Sequence, residues 1–263
     1  MRLFDSHCHL QDERLRDALP SVLVRARAVG VEGFVCCATR EDDWEAVQTL
    51  AEVQPEVVPL LGLHPWYLAA GARSGWLQRL EGALRAQRDR GPCGVGECGL
   101  DFALEDCHRE AQEAAFRDQL ALACRLDLPI SIHCRKAFDA LAHIAADLGL
   151  PRRGAVIHAF SGSAESVRAL QALGFHFGFG CSLANPGNKR AAKALKAIAS
   201  DRLLLETDSP DMAPRSVPGF ETATLNEPAN IVLALRAAAQ LRGEDVDVLA
   251  EGCVERTRKI FLG

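Results

Sequence analysis

The sequence has no apolar run approaching the roughly 18 residues that a membrane-spanning helix requires. It has no excess of positive charge either. The formal net charge is -5, which excludes a globally basic nucleic-acid binder. A polyanionic substrate would have to be met by local cations or by metal. There is no Cys-x-x-Cys pair among the ten cysteines and no basic-then-apolar leader at the N-terminus. The expectation is a reducing cytoplasm, with the cysteines as small core residues. Low-complexity linkers are also absent, and Tyr67 is the sole tyrosine.

What is present is a regular alternation. In 263 residues, 48% of them hydrophobic, eight short apolar runs recur: Leu3 to Phe4, Gly33 to Ala38, Val57 to Leu61, Gly94 to Glu97, Ile130 to His133, Ala155 to His158, Phe175 to Phe179 and Leu203 to Glu206. Near-continuous apolar character marks parallel strands buried on both faces. Between them lie segments with Leu, Ala and Val at three- and four-residue spacing, the period of amphipathic helices. They cover 22–29, 44–53, 76–87, 110–126, 137–148, 164–173 and 189–199, and two more, 228–241 and 246–261, close the chain. Gly30, Gly149 and Gly174 punctuate helix ends. Strand-helix alternation without a composition break predicts one α/β domain over 1–263, a (β/α)8 TIM barrel. The irregular stretch Asp208 to Asn226 is then expected as a loop at the active face.

Ligand-type residues stand where these strands end. His7 and His9 are two apart, so on a strand both imidazoles face the barrel axis while Cys8 faces outward. Glu97, His133 and His158 close the fourth, fifth and sixth runs, and Asp208 follows the eighth. All C-terminal strand ends of such a barrel converge on one mouth, so residues remote in sequence meet there. A buried strand does not end in His or Glu without a partner. Four histidines and two carboxylates exceed the three protein ligands of a mononuclear catalytic zinc and suit two divalent ions, with Glu97 as a bridge. Asp208 can bind metal and also take the proton of an attacking water. Cys98 and Cys134 follow ligands directly, and alternation turns them away as packing residues.

Seven segments, in order, carry a resemblance over nearly the whole chain: Asp5-Ser6-His7-Cys8-His9-Leu10, Gly62-Leu63-His64-Pro65-Trp66, Gly96-Glu97-Cys98-Gly99-Leu100-Asp101, Ile132-His133-Cys134-Arg135, His158-Ala159-Phe160-Ser161-Gly162, Glu206-Thr207-Asp208-Ser209-Pro210 and Asn226-Glu227-Pro228. Together they resemble the TatD-type metal-dependent deoxyribonucleases of the amidohydrolase-like barrel superfamily. The resemblance implies a TIM barrel with a divalent-metal site on His7, His9, Glu97, His133, His158 and Asp208. It also implies hydrolysis of phosphodiester bonds in DNA, often from a 3′ end, or in some relatives removal of D-amino acids from tRNA. The family commonly has a basic residue just before Asn-Glu-Pro, whereas here Thr224-Leu225 stands there.

Three further residues are candidates for holding substrate at the mouth: His64 as a donor to a substrate oxygen, Trp66 as a stacking face for a base, and Arg135 as a bidentate fork for phosphate. Each has a structural alternative. His64 is held by the Pro65 turn, Trp66 packs, and Arg135 pairs with Asp101 or Glu105. Arg152-Arg153 precede the sixth strand and belong to the opposite end of the barrel, as solvated cations. The expected partner is nucleic acid, DNA or also RNA, without a membrane, and the expected cofactors are two ions of Zn, Mn or Mg. A hydrolase of small esters or amides and a non-catalytic partner protein that keeps the fold are the alternatives. Amide-ring hydrolases of the wider superfamily would need a lysine near Glu97, and none is there.

Overall fold

Each apolar run becomes a strand. β1 (Leu3–Cys8), β2 (Val31–Cys37), β3 (Val57–Leu61), β4 (Gly94–Asp101), β5 (Ile130–Arg135), β6 (Ala155–Ile157), β7 (His176–Phe179) and β8 (Leu203–Leu205) form one sheet in sequence order. Every ladder between neighbours is parallel. The structure is a computed structural model and describes residues 1–68 and 73–263. No helix among the described residues is long and apolar enough to cross a membrane.

The helices follow the apolar spacing: α1 (Leu19–Ala28), α2 (Trp44–Val53), α3 (Trp76–Arg88), α4 (Arg109–Leu126), α5 (Phe138–Leu148), α6 (Ala164–Ala172), α7 (Lys189–Ala197), α8 (Ile231–Arg242) and α9 (Val246–Phe261). Side-chain oxygens cap orphan N–H groups where α6, α7 and α9 begin, at Ser163, Asn188 and Asp245. Pro228 to Asn230 form a separate 3-10 turn, so α8 begins three residues later than its apolar spacing predicts.

Two boundary differences have one cause. β1 runs on to Cys8 and β4 to Asp101, past the last residues that apolar content marked. The added residues include Asp5, Ser6, His7 and Asp101, which are polar yet buried. Apolar periodicity cannot register a strand that buries polar side chains at a site.

Two apolar clusters divide the core. The larger lies between strands and helices and includes Phe34, Cys36, Leu61, Ile132 and Phe177. The smaller fills the barrel interior, with Phe4, Val35, Val58, Leu60 and Leu204 from strands and Val254, Ile260 and Phe261 from α9. Phe4 belongs to the inner cluster and Cys8 to the outer, although an even spacing puts both on one face of a regular strand. Register shifts between β1 and β2 at Asp5 and before Cys8 absorb the difference. They turn Cys8 outward and leave His7 and His9 facing in.

The seam between β8 and β1 closes through the chain just beyond β8. Asp208 N–H donates to the His7 carbonyl at 3.0 Å, and His9 N–H donates to the Ser209 carbonyl at 2.7 Å. The Asp5 carboxylate accepts from Thr207 N–H at 2.9 Å and from its hydroxyl at 2.5 Å. The backbone bonds that close the barrel therefore also set His7, His9 and Asp208 side by side.

Candidate metal centre

The six predicted ligands meet at the mouth around Glu97. Its Oε2 lies 3.3 Å from His7 Nε2 and 3.2 Å from His9 Nε2. Its Oε1 lies 2.8 Å from His158 Nε2 and 3.2 Å from His133 Nδ1. Asp208 Oδ1 is 3.4 Å from His9 Nε2 and 3.7 Å from His7 Nε2. Glu97 thus has one oxygen toward each half of the constellation. Three groups of ligand atoms each lie within 4.8 Å of one another: His7, His9 and Asp208; His7, Glu97 and His158; and His64, Glu97 and His133.

The outer contacts set the tautomers. His9 Nδ1 faces the Cys37 carbonyl at 2.7 Å, so it carries the proton and leaves the Nε2 lone pair free. His7 Nδ1 is 2.8 Å from Ser131 Oγ, and His133 Nε2 is 3.2 Å from Asp101 Oδ2. A carboxylate holding the far N–H of a ligating imidazole fixes its ring and raises its basicity. His64 is wired the other way. Its Nδ1 accepts from Trp66 N–H at 3.1 Å, so the neutral ring keeps its proton on Nε2 and donates to Glu97 Oε1 at 3.1 Å.

The local backbone is built for close approach. A Cβ on Gly62 would sit 2.8 Å from the Glu97 carbonyl oxygen, and one on Gly178 would sit on the Glu206 carboxylate. Asp208 (φ 57) and Ala159 (φ 43) occupy the left-handed region that L side chains avoid. Such strain persists only where the surroundings over-determine it, and it collects at functional sites.

Charge is balanced unevenly across the site. Burial alone would raise the Glu97 carboxyl, but His158 and His64, with hydrogen bonds from His133 and His158, hold it well below its ordinary value. Asp208 is held low against burial by the His9 hydrogen bond and by His158. Burial opposes charge on His9 and His133 as well, yet Asp208 and Glu97 raise His9, and Asp101 and Glu97 raise His133 to about 9. His7 goes down to about 4, through burial and then the neighbouring His158. Behind these lie two acids that meet no Lys or Arg among the described residues, Glu206 having only the His158 ring at 3.9 Å. Burial pushes Asp5 up to about 7 and Glu206 well above its usual value. Converging imidazole lone pairs with two ionised carboxylates make a donor set that suits Zn or Mn and accepts Mg at its carboxylates.

The predicted substrate contacts divide. Trp66 is 55% exposed at the mouth, and its Nε1 donates to Asp101 Oδ2 at 2.8 Å. His64 is buried beside Glu97 and reaches the metal-capable group, which its position after β3 did not reveal. Arg135 is exposed and makes no ion pair among the described residues, so the alternative of a bridge to Asp101 or Glu105 does not hold. Asp101 is instead spent on His133 and Trp66. Cys98 and Cys134 are buried packing residues, and all ten cysteines are free. Sequence reasoning missed Ser131, Glu206 and the Cys37 carbonyl as supports. Glu206, just before Thr207-Asp208, was the one with a signal, since a carboxylate at the end of an apolar run has to be buried.

Comparison with known proteins agrees with this geometry. The family described as TatD related DNase matches residues 4–262. A protein of Pantoea vagans strain C9-1 named 3′-5′ ssDNA/RNA exonuclease TatD is 33% identical over 263 residues, covering 98% of this chain and 99% of its own. The uncharacterized metal-dependent hydrolase YjjV of Escherichia coli K12 is 32% identical over 260 residues, covering 99% of this chain and 98% of its own. The crystal structure of that TatD homologue superposes with a TM-score of 0.91 over 99% of this chain and 98% of that one. A TatD family hydrolase structure from Entamoeba histolytica, 19% identical and covering 99% of this chain and 98% of its own, shares the fold with a TM-score of 0.87.

Proposed function

The chain belongs to the TatD-related DNase family, and from that premise we propose that it is a divalent-metal-dependent phosphodiesterase that trims single-stranded nucleic acid from a 3′ end. One observation carries the reading: six ligand-type side chains from the ends of five strands converge at one mouth, with the carboxylate of one of them, Glu97, at the centre. The naming of relatives as ssDNA/RNA exonucleases supports the substrate class.

Two divalent ions would fit this donor set: His7, His9 and Asp208 would hold one, His133 and His158 would hold the other, and Glu97 offers one oxygen to each half. Bound divalent metal supplies the positive charge that brings a water toward deprotonation near neutral pH. Asp208, ionised and at the seam, takes the proton of the attacking water. The His64 Nε2–H, which rests on Glu97 Oε1, is the imidazole donor available to a substrate oxygen at the mouth. Arg135, exposed and unpaired, offers its fork to a phosphate, and the open face of Trp66 offers stacking to a terminal base. Ten free cysteines support a reducing compartment such as the cytoplasm.

The test is an assay on 5′-labelled single-stranded DNA and RNA with Mg, Mn or Zn, comparing the wild type with His133→Ala and Asp208→Ala. The expected result is a ladder shortening from the 3′ end, lost in both variants. Intact oligonucleotides beside hydrolysis of a small ester or an aminoacyl ester, by protein shown to contain metal, would overturn the nuclease reading. Leu225, standing where the family commonly has a base, makes that the outcome to watch.

A further inference from the structure

At the end of the barrel away from the metal centre, a cavity of about 390 Å³ opens between the starts of β6, β7 and β8 and the last turns of α9. Cations dominate its lining. Arg152, Arg153, Arg202, Arg256 and Lys259 face a single acid, Asp201. This runs against the net charge of the chain, which is -5. It also runs against the treatment of arginine elsewhere, where Arg14, Arg25, Arg79 and Arg90 each meet a carboxylate within 3 Å. Arg153, Arg256 and Lys259 have no carboxylate within 4 Å among the described residues, while Arg152 pairs with Asp127.

Two of the cations, Arg256 and Arg202, are partly buried and held in place, while Arg152, Arg153 and Lys259 stand exposed at the rim. Arg256 Nε donates to the Leu203 carbonyl at 2.8 Å, and Arg202 donates to the Gly174 carbonyl at 2.9 Å. Those bonds fix the two guanidinium planes, and Arg202 also meets the Asp201 carboxylate at 3.7 Å, which leaves Arg256 as the fixed guanidinium without a carboxylate within 4 Å among the described residues. His176 also lines the cavity, and its Nδ1 is buried with no hydrogen-bond partner. Leu150, Leu173 and Ile260 supply an apolar wall. A fixed, unpaired guanidinium such as that of Arg256 matches phosphate oxygens in a bidentate way, and Arg153 and Lys259 can close on the same anion from the rim. The volume lies in the range of small-ligand sites and exceeds what a bare phosphate fills.

We propose that this cavity is a second anion site, distinct from the metal centre, which takes a phosphate group either as inorganic phosphate or as the 5′-phosphate of a mononucleotide whose base lies on the apolar wall. The inference is independent of the chemistry at the mouth.

The test is calorimetric titration of the full metal-loaded chain with sodium phosphate and, separately, with 2′-deoxyadenosine 5′-monophosphate. The key variant is Arg153→Ser with Lys259→Ser, two exposed positions that leave the Arg256 and Arg202 bonds in place. Each removed cation takes away a charge-assisted contact, so the pair is expected to weaken binding at least about tenfold. A control, Arg168→Ser with Arg236→Ser, removes the same charge elsewhere and should stay within about twofold. Asp208→Asn should retain this binding. Equal affinity for the two probes identifies inorganic phosphate as sufficient, and tighter nucleotide binding identifies the mononucleotide. The proposal is overturned if the Arg153/Lys259 pair binds as the wild type does, if both double variants weaken equally, or if Asp208→Asn abolishes all binding. Absence of binding at millimolar phosphate overturns it as well. Nuclease activity of the Arg153/Lys259 variant, measured alongside, reports that it is folded and keeps the two questions separate.

Discussion

The two ends of this barrel solve opposite problems with the same eight strands. At the mouth, buried carboxylates and imidazoles crowd together, and Asp5 and Glu206 are buried behind them with no Lys or Arg beside them among the described residues. At the other end, Phe4, Ile260 and Phe261 seal the interior with apolar bulk. The mouth gives up packing and charge neutrality to hold a constellation that has little reason to exist without a ligand. The sealed end supplies the stability that permits this, as expected of a barrel whose chemistry and packing fall on opposite faces. The comparison teaches that a strand's last residues and its first residues answer to different demands.

The largest effect is expected at the residue on which the mouth depends. Glu97→Gln removes the negative charge shared by five imidazoles, and loss of the bound metals should cut activity by about a thousandfold or more. Elemental analysis and kcat/KM check this together. Phe261→Ala attacks the sealed end. It should destabilise the fold by about 3 to 5 kcal/mol in urea melts. Activity per folded molecule should stay near that of the wild type. A collapse of metal content in this variant would break the comparison by showing that the ends are coupled.

His176 at the sealed end gives a pH signature. Burial, then Arg202, brings its pKa down to about 4 from 6.5 for a free imidazole. A folded-state value below the unfolded one means that folding favours the neutral ring. That contribution is whole above about pH 6.5 and is lost as the pH falls through about 4. The wild type should lose up to about 3.5 kcal/mol of stability over that window, at about 1.4 kcal/mol per unit. His176→Gln should flatten this part of the profile. An unchanged profile would mean that the ring titrates as in water. The smallest effect belongs to Asp101→Asn. The amide no longer fixes the His133 tautomer, so metal affinity and activity should drop about 10- to 100-fold while the fold survives. Isothermal titration with Mn or Zn reads it.

Much of this was legible in the sequence, and the rest resisted for identifiable reasons. The eight strands followed from apolar runs because parallel strands are buried on both faces. His7 and His9 were readable because a period of two puts them on one face. The meeting of the six ligand-type side chains was readable because strand ends in a barrel share one mouth. The strand limits failed at Asp5, His7 and Asp101, where polar residues are buried. Ser131 as the partner of His7 lies 124 residues away and across the barrel, which no local pattern encodes. His64 was placed at the mouth but not against Glu97, because its tautomer and reach depend on the Trp66 N–H. Arg152 and Arg153 were assigned to the correct end, yet their convergence with Arg202, Arg256 and Lys259 joins separate segments through tertiary packing alone.

The central claim is that Glu97 joins two metal positions in one centre. The most direct measurement is anomalous scattering from crystals grown with Mn. The account predicts two peaks about 3.5 to 4 Å apart on either side of the Glu97 carboxylate. One should lie within ligand distance of His7, His9 and Asp208, and the other within ligand distance of His133 and His158. A single peak, or two that leave Glu97 uncoordinated, would contradict it.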